Sequence, residues 1–350
     1  MKISSKLLTG IAAMALSLYA QAYPGESIVL DPVTGDYTIT YRGDPDSIEL
    51  SQAVFVPSTK IAPAIRSHFR QDERGMIVYR YTVSNGATAK QAIVSVLLDQ
   101  IVNHIVGELS FPDDPVSQTV VDTYNAATET ALASPPTWDG DITRYRIATH
   151  GEDLDRIAWM PKSDDLNAGG IQAGRTLTGF GFSSPDLPGI GPSLTSGFGD
   201  VLGFPDEGPV EDSAVFAEVD RLQRNDFIVR NAAVPTITIP DPFDPAVTLE
   251  RIQAHMHTWI AKQLIEPAFA AQLDSHFKTA ADVYRKQGSA GNGQVGRMFA
   301  LLVQQYEGLE RGDEELVKKK SAVPAQIDKL AALVLYFDLK YVMRRMGGGN

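Results

Sequence analysis

The sequence contains no cysteine. This absence excludes disulfide bonds, zinc sites with thiolate ligands, iron–sulfur clusters and a cysteine nucleophile. It also excludes lipid attachment to an N-terminal cysteine. The folded chain must therefore be stabilised mainly by its hydrophobic core, and 43% apolar residues are enough to form one.

Signature motifs of several enzyme classes are also absent. The sequence has no Gly-x-Ser-x-Gly elbow of a serine hydrolase and no His-Glu-x-x-His motif of a zinc protease. Residues 291–296 match the spacing of a dinucleotide-binding loop, but they lie between two predicted helices and follow no strand. The motifs therefore indicate no particular reaction.

Basic residues are fewer than acidic residues. The chain has 31 lysine and arginine residues against 43 aspartate and glutamate residues, a formal net charge of −12. The acidic excess falls in residues 23–245, whereas residues 246–350 carry slightly more basic than acidic side chains. An acidic body repels phosphate backbones and anionic lipid surfaces, so neither nucleic acid nor a membrane surface is an expected partner.

Long hydrophobic runs are scarce, and the most informative one is short. Lys2 and Lys6 precede an apolar run over residues 7–18, and Ala20-Gln21-Ala22 follows it. The run is shorter than the roughly 20 residues that a membrane-spanning helix needs. This layout predicts a signal peptide over residues 1–22, and a secreted or periplasmic protein with no membrane anchor after cleavage.

The pattern of apolar residues changes near residue 245. Before it, short alternating runs separated by turn residues predict strands, among them a hairpin of residues 28–30 and 37–41. Residues 76–83 and 93–98 form a second predicted hairpin around Asn85-Gly86. After residue 245, helical spacing predicts four helices, opening near Thr248, at Pro267, before Met298 and at Pro324. The chain is therefore predicted as α+β: an N-terminal antiparallel β-sandwich (23–235), a proline-rich linker (236–245) and a C-terminal helical bundle (246–346).

Two parts of the sequence resemble known families. Residues 79–86 leading into 93–99, together with 171–174 and 177–182, are similar to strands of immunoglobulin-like domains in exported bacterial proteins. Residues 264–281 and 298–305 resemble the FIMAH domain, a helical module of secreted bacterial enzymes and surface proteins. The first resemblance implies an Ig-like sandwich. The second implies an accessory or interaction role, and it supplies no catalytic residues.

One cluster has the residue types of an acid–base site. His150, Glu152 and Asp153 lie together at the end of a predicted strand, where a general base would have carboxylates to orient it. The same residues are also typical of an acidic turn that ends a strand. Two long predicted loops, residues 113–143 and 185–209, are where a hydrolase site would lie.

A second group of candidates lies in the predicted loop around Trp138. An exposed tryptophan there could stack on a sugar ring. Asp139 and Asp141 follow it, and calcium prefers such hard oxygen ligands. The aspartates do not form the spaced loop of an EF-hand, and aspartate is an ordinary turn residue.

The sequence therefore leaves three hypotheses for function. The first is a secreted non-enzymatic accessory, binding or scaffolding protein, whose partner is a protein or carbohydrate at the cell envelope and which needs no cofactor. The second is a secreted hydrolase with a site in the long loops. The third is a calcium-dependent carbohydrate-binding protein.

Overall fold

The computed structural model describes residues 23–102, 132–146, 153–198, 201–202, 208–224, 227–306 and 326–347. The chain divides into two compact units. The small unit comprises Met1–Pro57 with Gly199–Asp226, and the large unit comprises Ser58–Phe198 with Phe227–Asn350. Each unit is therefore assembled from two separate segments of the chain.

The bounds of the strands and helices follow in chain order. The strands are β1 (Ser27–Leu30), β2 (Tyr37–Tyr41), β3 (Ser51–Phe55), β4 (Pro63–Gln71), β5 (Ile77–Asn85), β6 (Ile93–Val102), β7 (Leu132–Ala133), β8 (Trp138–Arg146), β9 (Asp153–Pro161), β10 (Thr176–Ser184), β11 (Leu187–Gly197), β12 (Val201–Leu202) and β13 (Ile228–Ile237). The helices are α1 (Leu166–Gly169), α2 (Ala214–Arg224), α3 (Pro245–Ala261), α4 (Pro267–Gln287), α5 (Asn292–Tyr306) and α6 (Lys329–Met346).

The small unit is an antiparallel sheet with strand order β1-β2-β3-β12, covered by helix α2. The predicted hairpin of residues 28–30 and 37–41 is confirmed as β1 and β2. Asp31 shapes its turn, because its carboxylate accepts a hydrogen bond from the Val33 backbone at 2.8 Å. The core consists of alternate sheet residues packed against two valines of α2: Ile39, Tyr41, Ala53, Phe55, Val215 and Val219.

The large unit contains two antiparallel sheets that pack face to face. Their strand orders are β4-β5-β10-β7 and β13-β11-β6-β9-β8. Aromatic rings fill the space between them: Trp159 lies 5.6 Å from Phe180 and 6.2 Å from Tyr81. The Tyr81 hydroxyl donates a hydrogen bond of 2.7 Å to the Ala233 carbonyl across the sandwich. The predicted α+β class, an antiparallel sandwich followed by C-terminal helices, is confirmed.

The second predicted hairpin is wrong. Strand β5 pairs with β4 and β10, whereas β6 pairs with β11 and β9 in the opposite sheet. Asn85 does not form a tight turn, because its buried side chain bonds three backbone groups: the Ala62 N–H and the carbonyls of Gln91 and Ile171. These bonds hold the crossing of the chain from one sheet to the other.

The C-terminal helices share one hydrophobic core with the sandwich. Phe337 of α6 lies 5.0 Å from Phe69 of β4 in an edge-to-face contact. The predicted linker, residues 236–245, therefore lies inside the large unit, and its first residues complete β13. Among the described residues, no helix combines the length and apolar character needed to cross a membrane.

The helix starts are partly as predicted. Helix α4 begins at Pro267, as the sequence indicates. Helix α3 begins at Pro245 instead of near Thr248, because Asp244 caps it by accepting the backbone N–H groups of Ala246 and Val247. Asp328 caps α6 in the same way through Leu330, and the predicted start at Pro324 lies outside the described residues.

Much of the predicted loop 185–209 is a strand. Strand β11 lies inside its sheet, paired with both β13 and β6, even though it contains Pro188 and Pro192. The absence of side chains at two glycines gives room to neighbours, since a β-carbon at Gly189 would overlap Thr236 and His255, and one at Gly191 would overlap Val234. The glycines of β11, which suggest a loop in the sequence, are therefore positions where neighbouring side chains pack closely against the strand backbone.

Candidate binding groove

Strand β4 presents a row of basic side chains. Its sequence alternates, so that Ser67 and Phe69 are buried while Arg66, His68 and Arg70 are exposed. Because successive side chains on a strand point to opposite faces, the three exposed side chains share one face of the sheet. Phe69 fixes this orientation by packing against both Tyr79 and Phe337.

The neighbouring strand β5 adds another cation to the row. Register places Arg80 opposite His68 and Thr82 opposite Arg66, on the same face. Gly181 of β10 is the partner of Arg80 on the other side, and a β-carbon there would overlap the Arg80 side chain and the Tyr79 carbonyl. The missing side chain at Gly181 therefore leaves space for the Arg80 guanidinium.

Helix α6 forms the second wall of a groove along β4. One cavity of about 570 Å³ is lined on the helix side by Asp328, Lys329, Leu330 and Leu333. A second cavity of about 360 Å³ continues toward Tyr336 and Phe337. Both cavities are lined by His68 and Leu333, so they adjoin, and together they form what we call the basic groove. Its sheet wall comprises Ala64, Ile65, Arg66, Ser67, His68, Phe69, Arg70, Val78, Arg80, Thr82, Ser84 and Thr176, with Asn231 and Leu264 at one end.

Like charges meet along the sheet wall. Desolvation lowers the pKa of Arg80, and the nearby Arg70 guanidinium lowers it further. Burial likewise lowers the pKa of His68, with a further contribution from Arg66. Among the described residues, neither Arg70 nor Arg80 has a carboxylate partner within ion-pair distance. The carboxylate in the groove lining, Asp328, accepts the Leu330 N–H as the helix cap.

The basic groove therefore concentrates positive charge on a chain whose net charge is −12. The like charges of Arg70 and Arg80 repel each other, and an anion that lies between them relieves this repulsion. The arrangement can bind an anionic group by charge-assisted hydrogen bonds from arginine. The arginines of the groove are suited to binding, since their side chains remain protonated and serve poorly as general bases.

A buried polar cluster lies in the core behind β5. The Tyr79 hydroxyl donates a hydrogen bond of 2.8 Å to the Asp186 carbonyl. Burial raises the pKa of Asp186 to about 7, although the Thr238 hydroxyl and Arg251 oppose the change. Burial also raises the pKa of Asp338 well above its usual range. The side chain of Asp338 is fully buried, and neither of its carboxyl oxygens has a hydrogen-bond partner among the described residues.

Two histidines of helix α3 have separate roles. The Ile190 N–H donates to His255 Nε2 at 2.8 Å, and burial lowers the pKa of His255 to about 4, with a further contribution from Lys262. His257 is half-exposed and lies 2.6 Å from Asp274 Oδ1. Neutral His255 thus anchors the helix to β11, while His257 joins α3 to α4 at the surface.

The predicted acid–base cluster cannot be placed as a unit. His150 and Glu152 lie outside the described residues, and Asp153 is described only by its backbone, as the first residue of β9. Of the two loops predicted to hold a hydrolase site, residues 138–143 belong to β8 and residues 187–197 to β11. Residues 113–131 of the first loop lie outside the described residues, so the hydrolase hypothesis stays a prediction.

Trp138 is a correction to the sequence analysis. It begins strand β8, its side chain is 1% exposed, and its ring packs edge-to-face on Phe180 at 5.3 Å. A ring covered in this way cannot stack on a sugar. The Pro-Pro segment before Trp138 is typical of a loop in sequence. The indole ring of Trp138 nevertheless packs in the apolar space between the two sheets.

Asp139 and Asp141 lie two residues apart on β8 and are both exposed. Asp139 forms an ion pair of 3.2 Å with Lys162. Within the described ranges, no group of three or more histidine, aspartate or glutamate side chains is arranged to hold a metal ion. Calcium binding by these aspartates stays a prediction.

Sequence reasoning missed the basic groove, although part of its signal is visible. The run Arg66-Ser67-His68-Phe69-Arg70 alternates charged and core side chains, which is the period of a half-buried strand. Arg80 and helix α6 join the row only through strand register and tertiary packing. The overall acidity of the chain also obscured a local cluster of the opposite sign.

Comparisons with known proteins give little further guidance. No family model and no curated protein matches the sequence. A crystal structure of an uncharacterized protein from Nocardia farcinica, described as having an immunoglobulin-like fold, matches 50% of this chain and 98% of its own length. Its sequence identity is 11% and its TM-score is 0.22, which is too low to transfer topology or function.

Proposed function

We propose that this is a secreted or periplasmic, non-enzymatic binding protein that holds an anionic partner at the cell envelope in the basic groove. The observation that carries the proposal is the clustering of Arg66, His68, Arg70 and Arg80 on one face of an acidic chain. The predicted signal peptide over residues 1–22 supports export. An accessory role is also what the FIMAH resemblance of the C-terminal helices implies.

The size of the groove supports ligand binding. Its two cavities, of about 570 and 360 Å³, fall in the range of about 300–1,000 Å³ that is usual for binding clefts. Half-buried Leu330 and Leu333 add apolar surface to the same cavity that Arg66 and His68 line. A partner that is both anionic and partly apolar therefore gains from both walls of the groove.

Binding to simple polyanions tests this function. The chain from Tyr23 onward is titrated with poly-L-glutamate and with polygalacturonate at low ionic strength, followed by calorimetry. We expect at least one of them to bind, and the affinity to fall as salt is added, because screening weakens exposed charge pairs.

A matched pair of variants identifies the surface. The double variant Arg70→Ala/Arg80→Ala should weaken binding about fivefold to tenfold, the range for two exposed or partly buried charge contacts. Arg297→Ala/Lys278→Ala removes two exposed cations from helices α5 and α4, which do not line the groove, and should leave binding unchanged. Absence of binding to either polymer, or equal losses in the two variants, would contradict the proposal.

A further inference from the structure

The basic side chains of the groove recur at a fixed spacing along β4, and this spacing favours some anionic partners over others. Arg66, His68 and Arg70 occupy alternate positions of β4, so neighbouring charges are separated by about 7 Å along the strand and the outer two by about 13 Å. A single small anion cannot span that length. An extended polypeptide has the same period, so carboxylates at its alternate residues would each meet one basic side chain of the row: a guanidinium at either end and the His68 imidazole, which can donate a hydrogen bond, between them.

The second wall of the groove fits the remaining side chains of such a peptide. In an extended segment, the residues between the carboxylates point to the opposite side. In the groove that side is formed by the half-buried Leu330 and Leu333 of α6, with Asp328 and Lys329 at the start of the helix. A segment that alternates acidic and apolar residues therefore satisfies both walls at once.

The lining favours a peptide over a polysaccharide. Recognition of sugar rings generally uses an exposed aromatic face for stacking. The aromatic residues of the groove are covered: Phe69, Tyr336 and Phe337 are 8%, 1% and 5% exposed. The hydroxyl and amide side chains of the lining that are not buried lie at Thr82, Ser84, Thr176 and Asn231, and the Ser84 and Thr176 hydroxyls already bond each other at 2.8 Å.

We infer that the basic groove binds an extended acidic peptide segment whose carboxylates recur at every second residue. This inference rests on the proposed function, of which it specifies the partner. The segment lies along β4, with its carboxylates on Arg66, His68, Arg70 and Arg80 and its apolar side chains against α6.

Two peptides with the same residues in a different order test the inference, beside a cationic peptide and a sugar polymer. The probes are an octapeptide of alternating Glu and Val, a block peptide of four Glu followed by four Val, and an alternating Lys and Val octapeptide, with polygalacturonate as the sugar polymer. Calorimetry at low salt should show the alternating acidic peptide binding at least about fivefold more tightly than the block peptide, because only the former places each carboxylate opposite a basic side chain of the row. The cationic peptide should not bind.

Variants of each wall make the test specific. Arg70→Glu changes one exposed side chain and should weaken the alternating acidic peptide more than the block peptide. Leu333→Ala should weaken it as well, while leaving poly-L-glutamate unaffected. Circular dichroism confirms that each variant is folded, and Arg70→Glu provides a readout if the Arg70→Ala/Arg80→Ala protein does not fold.

The outcomes separate the inference from the function on which it rests. Equal affinity for the alternating and block peptides would overturn the inference while leaving anion binding intact. Tighter binding of polygalacturonate than of any peptide would also overturn it and would assign the groove to a polysaccharide. Failure of every anionic probe to bind would overturn both.

Discussion

Asp338 places an ionisable group on the fully buried face of helix α6. With both carboxyl oxygens lacking hydrogen-bond partners among the described residues, its charged form would be strongly destabilising, and burial raises its pKa accordingly. The native state therefore keeps the proton at pH values where the unfolded chain has released it. Stability contributed in this way is present below about pH 4 and is lost as the pH rises through the native pKa.

The variant Asp338→Asn tests this linkage. Asparagine has nearly the same shape and cannot ionise, so the variant should match the parent near pH 4 and be more stable than it at pH 7.5. While the native carboxyl keeps its proton, the gap should grow by on the order of 1 kcal/mol per pH unit. Urea unfolding at the two pH values measures it, with the exposed Asp164→Asn as the control. Parallel pH profiles for parent and Asp338→Asn would contradict the assignment.

At the scale of elements, helix α3 is attached to strand β11 by polar contacts. His255 accepts the Ile190 N–H, and the Lys262 ammonium donates to the Ile190 carbonyl at 2.6 Å. Gly189 allows the contact, because any larger residue would fill the position of the imidazole. One residue of β11 thus has both of its backbone groups bonded by the helix.

Substitution of the two α3 histidines should have unequal effects. His255→Leu leaves the Ile190 N–H without its acceptor, which should reduce the free energy of unfolding by about 1–3 kcal/mol. His257→Leu removes a half-exposed pair with Asp274 and should cost less than about 1 kcal/mol. Urea denaturation of both variants at pH 7 provides the comparison, and equal losses would show that the His255 contact does not anchor the helix.

The elements were predictable to different degrees for physical reasons. The change from strands to helices near residue 245 and the start of α4 at Pro267 depend on local sequence, and both could be read from it. The partner of β5 could not, because the Asn85 side chain bonds three backbone groups, two of them distant in sequence, and the chain crosses to the other sheet there. In the groove, the β4 row follows from alternation, whereas Arg80 and the α6 wall required register and packing.

At the scale of the whole molecule, the two units have separate hydrophobic cores. All three tryptophans, Trp138, Trp159 and Trp259, lie in the large unit. Tryptophan fluorescence therefore reports the unfolding of the large unit, and far-ultraviolet circular dichroism reports both. A chain of this kind is expected to depart from a single two-state transition.

Matched core truncations should separate the two units. Each of Phe55→Ala in the small unit and Phe180→Ala in the large unit removes a fully buried ring, at a cost of about 3–5 kcal/mol. We expect Phe180→Ala to lower the fluorescence-detected midpoint and Phe55→Ala to leave it unchanged while altering the dichroism curve. A shift of similar size in fluorescence for both variants would show that the cores unfold together.

The composition of the small unit has a consequence for the order of folding. Its sheet begins with β1 and β2, but Val215 and Val219 of α2 complete its core more than 150 residues later. As the chain emerges N-terminus first, residues 58–198 of the large unit are synthesised before α2. The apolar face of Ile39, Tyr41 and Phe55 stays uncovered by α2 until then. Closing so long a loop slows folding and prolongs the exposure of that face. Nascent chains that end before residue 214 should therefore depend most on protection by chaperones.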